Sequence, residues 1–326
     1  MWKKLCAVLF AAGLLGPRAA AADDGFGPWR KYVVPKCGEV QPRVGIRITY
    51  LGVNGYLFET GGHALLVDPY FTRAPLGKIA LNLPIKSDRE LVARALAPLP
   101  RRIDAVLVTH GHFDHLLDVP EVIRQTGARL VASDTAVSLV KAHGLSLPDA
   151  RRVSACAPAR SEWRSGPWKV RALPAAHDRI LGVTPYPSQT AAPQPLPHRP
   201  KEWIMGEPLA FLIEAAGRRI YIDAGGLPDA APPDIAPVDL AIVGVALPDS
   251  RRRLPQLAGA LLPPRGPAGR PRYFLPSHQD DFFRPLARGF SFGLTSNFFA
   301  VERDSLAGKI PGQLILLDYY RPWTLR

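Results

Sequence analysis

The chain has 326 residues, of which 47% are hydrophobic and 21% are charged, and its formal net charge at pH 7 is +13. This is an ordinary globular composition with enough apolar residues for a sizeable core, which excludes a disordered, charge-dominated chain. The basic excess could attract an anionic substrate, a lipid surface or nucleic acid, although a solvated arginine-rich surface is the simpler interpretation.

The first 22 residues have the pattern of a secretory signal peptide. Lys3 and Lys4 form a short basic start, residues 5–16 are mostly apolar, and Ala20-Ala21-Ala22 offers a cleavage site. The alternative is a membrane anchor, but the apolar run is well short of the roughly 20 residues that span a bilayer. We therefore predict export to a periplasm or out of the cell. Cleavage would remove three basic residues and no acid, which leaves a net charge of +10.

We interpret the remaining chain as an N-terminal leader over residues 23–41 and a single domain over residues 42–326. Alternating apolar residues predict strands at 44–50, 56–59 and 64–68, with Gly61-Gly62 forming the turn between the last two. A helix is predicted over residues 87–97. Ser87 is the expected N-cap of this helix, and Glu90 would complete a capping box.

A short apolar run at residues 105–108 predicts a strand buried on both faces, and it ends directly at Thr109-His110. Asp118 is expected to cap a helix that runs to residue 125, followed by a strand at 129–132 and a helix at 134–143. The second half predicts strands at 168–173, 209–214, 219–223, 240–245 and 273–275. Strands alternating with helices indicate an α/β fold.

Two proline-rich stretches interrupt this pattern. The first covers residues 184–208, and the second lies at 262–272 within an Arg- and Pro-rich stretch, residues 251–272. Loops of this length inside a compact domain are either lids and binding loops or plain surface excursions.

Cysteine usage argues against thiolate chemistry. Cys6 leaves with the signal peptide, and neither Cys37 nor Cys156 belongs to a C-x-x-C pair, so a thiolate metal site or a thioredoxin-like role has little support. In an oxidising compartment, we expect Cys37 and Cys156 to form a disulfide.

The strongest local signal is the run Thr109-His110-Gly111-His112-Phe113-Asp114-His115, an H-x-H-x-D-H pattern at a strand end. Imidazole nitrogen and carboxylate oxygen together suit Zn²⁺, with Mn²⁺ or Fe as alternatives. Closely spaced ligands on one turn allow alternate side chains to reach two neighbouring ions.

The sequence resembles the metallo-β-lactamase superfamily from about residue 43 to its C-terminus. The resemblance rests on the motif above, on residues 51–59 and 66–69, which look like the opening hairpin, and on Pro276-Ser277-His278. It implies a four-layer αβ/βα sandwich, in which two mixed β-sheets carry helices on their outer faces.

The resemblance also implies a two-metal site. His110, His112 and His177 would hold the first ion, and Asp114, His115 and His278 the second, with Asp223 bridging them. Asp178 and Asp229 are the alternatives to Asp223, but only Asp223 ends an apolar strand before a Gly-Gly pair. Asp68 would accept a hydrogen bond from a ligand imidazole and fix its orientation. Asp114 would also orient or deprotonate the attacking water.

Five of the eight histidines fall on these positions, which leaves His63, His143 and His198. We interpret them as residues without a catalytic role, in a turn, at a helix end and in the Pro-rich loop. A cation is favourable at a helix C-terminus, which suits His143.

The residues of these motifs resemble most closely those of the group containing ascorbate-6-phosphate lactonase and N-acyl-phosphatidylethanolamine phospholipase D. That implies hydrolysis of an ester, a phosphodiester or a lactone, in a small or lipid-like substrate, rather than β-lactam hydrolysis. Leu116-Leu117 departs from relatives that have glycine after the last motif histidine. We further hypothesise that Arg251, Arg252 and Arg253 favour an anionic substrate.

Two other functions stay open. The chain could be a non-catalytic, metal-stabilised protein that binds an acidic surface or polymer. It could also be a nuclease, which export from the cytoplasm disfavours.

Overall fold

The computed structural model describes residues 24–225, 237–247, 253–263, 271–296 and 298–326. The predicted signal peptide lies outside these residues, as do Asp229, Arg251 and Arg252. No helix in the described part of the chain is long and apolar enough to cross a membrane.

Strands are numbered in chain order, beginning with the short β1 (Val33–Val34). The first large sheet has the order β16-β2-β3-β4-β5-β6-β7. It consists of β2 (Ile46–Gly52), β3 (Gly55–Thr60), β4 (His63–Val67), β5 (Ala105–Leu107), β6 (Arg129–Ala132), β7 (Arg151–Arg152) and β16 (Trp323–Leu325). Pairing is antiparallel from β16 to β4 and parallel from β4 to β7.

The second large sheet has the order β14-β13-β12-β11-β10-β9-β8. It consists of β8 (Glu162–Ser165), β9 (Trp168–Pro174), β10 (Leu209–Ala215), β11 (Arg218–Ile222), β12 (Leu240–Gly244), β13 (Tyr273–Ser277) and β14 (Gln313–Leu314). Pairing is antiparallel from β8 to β11 and parallel from β11 to β14. A small parallel pair joins β1 to β15 (Leu316–Leu317).

The described helices are α1 (Leu76–Ala80), α2 (Arg89–Leu96), α3 (Phe113–Leu116), α4 (Val119–Thr126), α5 (Asp134–Lys141), α6 (Leu254–Leu261) and α7 (Phe298–Leu306). Short 3-10 helices lie at Gly27–Tyr32, Pro158–Arg160, Pro200–Glu202 and Leu286–Arg288. The predicted α/β class, with two mixed sheets and helices, is confirmed.

Neighbouring residues of the inner strands serve two different cores, which explains their continuous apolar sequence. In β4, Leu65 and Val67 pack into the core between the two sheets, whereas Leu66 packs with Val122 and Leu139 under helices α4 and α5. Successive side chains of a strand point to opposite faces, so a sheet covered on both sides needs apolar residues at every position. This packing fixes the strand ends that carry the candidate site.

Two predicted helix caps are wrong. Asp88 caps α2, because its carboxylate accepts a hydrogen bond from the backbone N–H of Leu91 at 3.0 Å. Ser87 instead donates from its hydroxyl to Asp118. Asp118 precedes α4 without capping it, since its buried carboxylate also accepts from the backbone N–H groups of Phe71 and Thr72. Both residues hold the segment after β4 rather than a helix end.

The predicted disulfide is also wrong. Cys37 and Cys156 are both exposed free thiols. Cys37 follows β1, whereas Cys156 lies in a turn before β8 whose backbone N–H groups are bound by Ser154 and Glu207. The prediction used the compartment and the number of cysteines, and neither of these specifies the geometry that a bridge requires.

Candidate metal centre

Five strands end at the residues that carry the candidate site. Asp68 follows β4, and Asp223 and His278 follow β11 and β13 directly. His110 and His177 come three residues after the ends of β5 and β9. Because these strands belong to both sheets, the site draws on both halves of the fold.

The first group consists of His110, His112 and His177. Nδ1 of His112 lies 3.1 Å from Nε2 of His110 and 3.1 Å from Nε2 of His177. The three ligand atoms all lie within 4.8 Å of one another. Burial first, and then the neighbouring imidazoles, hold the pKa of His110 and His112 well below the usual value, and burial lowers the pKa of His177 to about 4.

In His112 and His177, the outer ring nitrogen faces away from the group and the inner one faces into it. The hydrogen-bond partner of the outer nitrogen determines which of the two is protonated. Nδ1 of His177 lies 2.7 Å from the backbone oxygen of Asp178, and Nε2 of His112 lies 3.1 Å from that of Pro185. A carbonyl oxygen accepts only, so each outer nitrogen carries the hydrogen and each inner nitrogen of a neutral ring carries a lone pair. Lone pairs that face one another at 3.1 Å repel, and a cation between them would turn this repulsion into coordination.

The second group consists of Asp114, His115 and His278. Oδ2 of Asp114 lies 3.1 Å from Nε2 of His278 and 3.5 Å from Nε2 of His115. Burial would lower the pKa of His115, but Asp114 and Asp68 outweigh it and raise the pKa to about 10. Burial would likewise raise the pKa of Asp114, but the facing imidazoles hold it well below its usual range. The field of the two carboxylates thus favours positive charge at this position.

Asp68 joins the second group to the motif strand. Its Oδ2 lies 2.9 Å from Nδ1 of His115 and also accepts from Asn54 and from the hydroxyl of Thr109. Its Oδ1 accepts from the backbone N–H of Thr109 at 2.8 Å. The carboxylate therefore fixes the ring of His115 with Nε2 directed at Asp114, which is the contact expected of a residue that orients a ligand.

Asp223 belongs to neither group by ligand-atom distance, and its predicted bridging role stays a prediction. The carboxylate is fully buried, and its Oδ1 accepts from the backbone N–H groups of Gly225 and Gly244 at 3.0 Å each. Its Oδ2 makes no hydrogen bond with normal geometry in the described structure, although Tyr221 lies close enough to favour ionisation. Burial nonetheless raises the pKa of Asp223 to about 6. A buried carboxylate oxygen of this kind fits a cation.

Gly111 has a role that the motif alone did not reveal. Its backbone N–H donates to the oxygen of Met205 at 2.8 Å, so the end of the Pro-rich loop passes directly beside the motif. A Cβ at this position would lie 2.2 Å from the backbone oxygen of Ile204. Glycine between the two histidines therefore allows the loop to approach, and the loop also supplies the Pro185 carbonyl that holds His112.

Two aromatic rings flank the groups, and sequence reasoning missed both. The ring of Tyr186 stands edge-on to His112 at a centroid distance of 6.0 Å, and Phe282 stands edge-on to His278 at 5.3 Å. Both side chains are partly exposed, so they border the groups on the solvent side. Neither residue lies in a motif, although Tyr186 falls in the predicted Pro-rich loop.

The three remaining histidines have other environments. His63 contacts Asp104 at 3.0 Å, and His198 lies exposed in the Pro-rich loop. Burial, followed by the charge of Arg124, lowers the pKa of His143 to about 4. The expectation of a helix-end cation at His143 is therefore wrong. Within the described ranges, His63, His143 and His198 belong to neither potential metal group.

Several arginine side chains form ion pairs with acidic residues. Arg152 contacts Asp134 at 2.9 Å, Arg218 contacts Asp239 at 3.5 Å, and Arg219 contacts Glu214 at 3.3 Å. These three arginines are therefore already paired with acids.

Comparisons with known proteins indicate the family and the fold. Residues 48–201 match the family model of the metallo-beta-lactamase superfamily. A UPF0173 metal-dependent hydrolase of Rubrobacter xylanophilus is 38% identical over 102 residues, which make up 31% of this chain and 36% of that protein. The chain spans only 36% to 38% of the length of the first curated relatives it matches.

Two solved structures have a similar fold. Igni18, a metallo hydrolase from Ignicoccus hospitalis, has a TM-score of 0.55 at 16% identity, over 87% of this chain and 99% of its own. CmlA, a diiron beta-hydroxylase from Streptomyces venezuelae, has a TM-score of 0.52 at 17% identity, over 88% of this chain and 55% of its own. A hydrolase and a hydroxylase share the architecture, so the fold alone does not decide the reaction.

Proposed function

Because the chain belongs to the metallo-β-lactamase superfamily, we propose that it is a hydrolase that binds two divalent metal ions. The observation that carries the proposal is the sorting of six ligand atoms into two groups, each within 4.8 Å. Imidazole and carboxylate ligands suit Zn²⁺, with Mn²⁺ or Fe as alternatives. His110, His112 and His177 would hold one ion, and Asp114, His115 and His278 the other. Asp223 would bridge them.

Bound ions would lower the pKa of a water molecule and polarise the carbonyl or phosphoryl oxygen under attack. The protein's own residues would fix the geometry. Asp68 holds His115 in one orientation, and the Pro185 carbonyl does the same for His112. Asp114 would orient the attacking water or take up its proton. Tyr186 and Phe282 would border the bound substrate.

For the substrate, we propose an ester, a phosphodiester or a lactone in a small or lipid-like, anionic molecule. This narrower statement rests on the motif resemblance, on the acidic residues Asp114 and Asp223, and on the hypothesis about Arg251, Arg252 and Arg253. Nucleic acid is not the substrate that we favour.

Chelation should abolish catalysis and zinc should restore it. We expect turnover of a chromogenic phosphodiester or lactone, but not of a β-lactam, by the purified protein at full metal content. Removal of metal with a chelator should eliminate this turnover, because the ions supply several kcal/mol of transition-state stabilisation.

Two results of the same assay would contradict the proposal. Full metal content without turnover of any compound would favour the non-catalytic binder of an acidic surface. Degradation of DNA or RNA, with no turnover of the small esters, would identify a nuclease.

We also propose that the protein is exported, on the basis of its first 22 residues. N-terminal sequencing of the chain recovered from the periplasm or the medium should begin at Asp23. A chain that stays in the cytoplasm and begins at Met1 would refute export without affecting the proposed chemistry.

A further inference from the structure

A buried ion pair lies two residues from His278. Nη2 of Arg73 contacts Oδ2 of Asp280 at 2.8 Å, and neither side chain is exposed to solvent. Nη1 of Arg73 also donates to the backbone oxygen of Asp281 at 3.0 Å, and the hydroxyl of Tyr319 donates to Oδ2 of Asp280. A Cβ on Gly52 would lie 1.8 Å from Nη2 of Arg73, so glycine leaves space for the guanidinium.

The other oxygen of Asp280 is connected through Val53 to the backbone N–H of His278. Its Oδ1 accepts from the backbone N–H of Val53 at 2.9 Å. The backbone oxygen of Val53 in turn accepts from the N–H of His278 at 2.8 Å and from the hydroxyl of Ser277 at 3.2 Å. The Val53 residue thus links the carboxylate to the candidate ligand.

This link holds two residues in costly backbone conformations. Val53 has a φ of 56° and His278 a φ of 52°, which is the left-handed region that residues other than glycine avoid. The cost is greatest for a β-branched residue such as valine. Such conformations persist where the surroundings enforce them, and they concentrate at functional sites.

A buried ion pair is weak evidence of a contribution to stability, since apolar residues of similar volume often serve as well. A role in positioning explains the placement better. We propose that Asp280, supported by Arg73 and Tyr319, is a positioning residue that fixes His278 through Val53 for binding of the second ion. This inference rests on the proposed two-metal site.

The test measures binding of the two ions separately, by titrating the metal-free protein with Co²⁺ and following absorbance and heat. Asp280→Asn places an amide group opposite Arg73 and Tyr319, both of which donate. We expect it to weaken binding of one ion by 10-fold to 100-fold, the range typical of residues that support a ligand, and to leave the other within about 2-fold. Tyr319→Phe should have a smaller effect in the same direction.

The double variant Arg73→Met with Asp280→Leu separates positioning from structural support. It removes both buried charges, so it should recover much of the thermal stability that Asp280→Asn loses. It leaves the N–H of Val53 without its acceptor, so the binding defect for one ion should persist. If both stability and metal binding recover, the network is only structural and the inference is wrong.

Asp104→Asn is the matched control. Asp104 is also a buried carboxylate, bound to His63 and Trp168, but it precedes β5, at the end away from the motif. This variant should lose stability and bind both ions as the parent does. If the parent protein bound fewer than two ions, the proposed function itself would fail. Equal binding of two ions by Asp280→Asn and the parent would overturn only the positioning role.

Discussion

Replacement of His112 by alanine should lower kcat/KM by about a thousandfold or more. His112 contributes Nδ1 between the inner nitrogens of His110 and His177, at 3.1 Å from each, so its loss opens the first group. A loss of about 4 kcal/mol of the stabilisation that an ion gives the transition state corresponds to about three orders of magnitude in rate. Steady-state kinetics and metal content per chain, measured on the same samples, would check this.

His198→Ala is the control for that substitution. Its imidazole is exposed, and its backbone makes hydrogen bonds with Glu202 and Ile85. We expect it to retain full metal content and activity. Retention of both in His112→Ala, or an equal loss in the two variants, would contradict the assignment of His112 as a ligand.

Replacement of Asp68 by alanine should impair both stability and metal binding. The carboxylate accepts hydrogen bonds from Asn54, from the N–H and hydroxyl groups of Thr109, and from His115, all in the interior. Each buried donor left without an acceptor costs about 1 to 3 kcal/mol, so we expect a loss of at least about 3 kcal/mol in the free energy of unfolding. Metal affinity should fall about 10-fold to 100-fold because His115 loses its fixed orientation.

Urea unfolding and metal titration would measure the two effects of Asp68→Ala. Asp118→Ala provides the comparison, since Asp118 is equally buried but accepts from Phe71, Thr72 and Ser87, none of which is a candidate ligand. It should lose similar stability with a much smaller change in metal affinity. If both variants weaken metal binding equally, Asp68 would have no specific role in orienting His115.

The fold and the ligand groups were accessible to sequence reasoning for a physical reason. Buried strands impose continuous apolar runs, and polar residues at the ends of such runs are conspicuous, as with Asp68, His110, Asp223 and His278. The strand predicted at 129–132 has the bounds Arg129–Ala132 in the structure. The sorting of these residues into two groups came from the resemblance to the metallo-β-lactamase superfamily and not from the apolar pattern itself.

Other features were not accessible, because they depend on contacts between distant segments. The ion pair of Arg73 with Asp280 joins residues 207 positions apart. The acceptor for His112 is the backbone oxygen of Pro185, which no side-chain pattern marks. Ser87 and Asp88 are adjacent and chemically plausible caps, so the sequence could not separate them. Asp118 is a third plausible cap, but its carboxylate forms hydrogen bonds with residues that are distant in the sequence.

The Pro-rich loop was predicted from the sequence, but its contacts with the candidate site were not. Residues 184–208 lacked apolar periodicity and predicted only a loop. In the structure, the loop places Pro185 and Tyr186 against His112, and Thr190 exchanges hydrogen bonds with Thr135 at the start of α5. A segment of this kind can distinguish substrates without changing the metal ligands.

Anomalous X-ray diffraction at the zinc edge, on crystals of the protein with its metal restored, tests the central claim most directly. We predict two peaks per chain about 3.5 to 4 Å apart. One should be bound by His110, His112 and His177, the other by Asp114, His115 and His278, with Asp223 between them. A single peak, or a peak with a different set of ligands, would contradict the two-metal account.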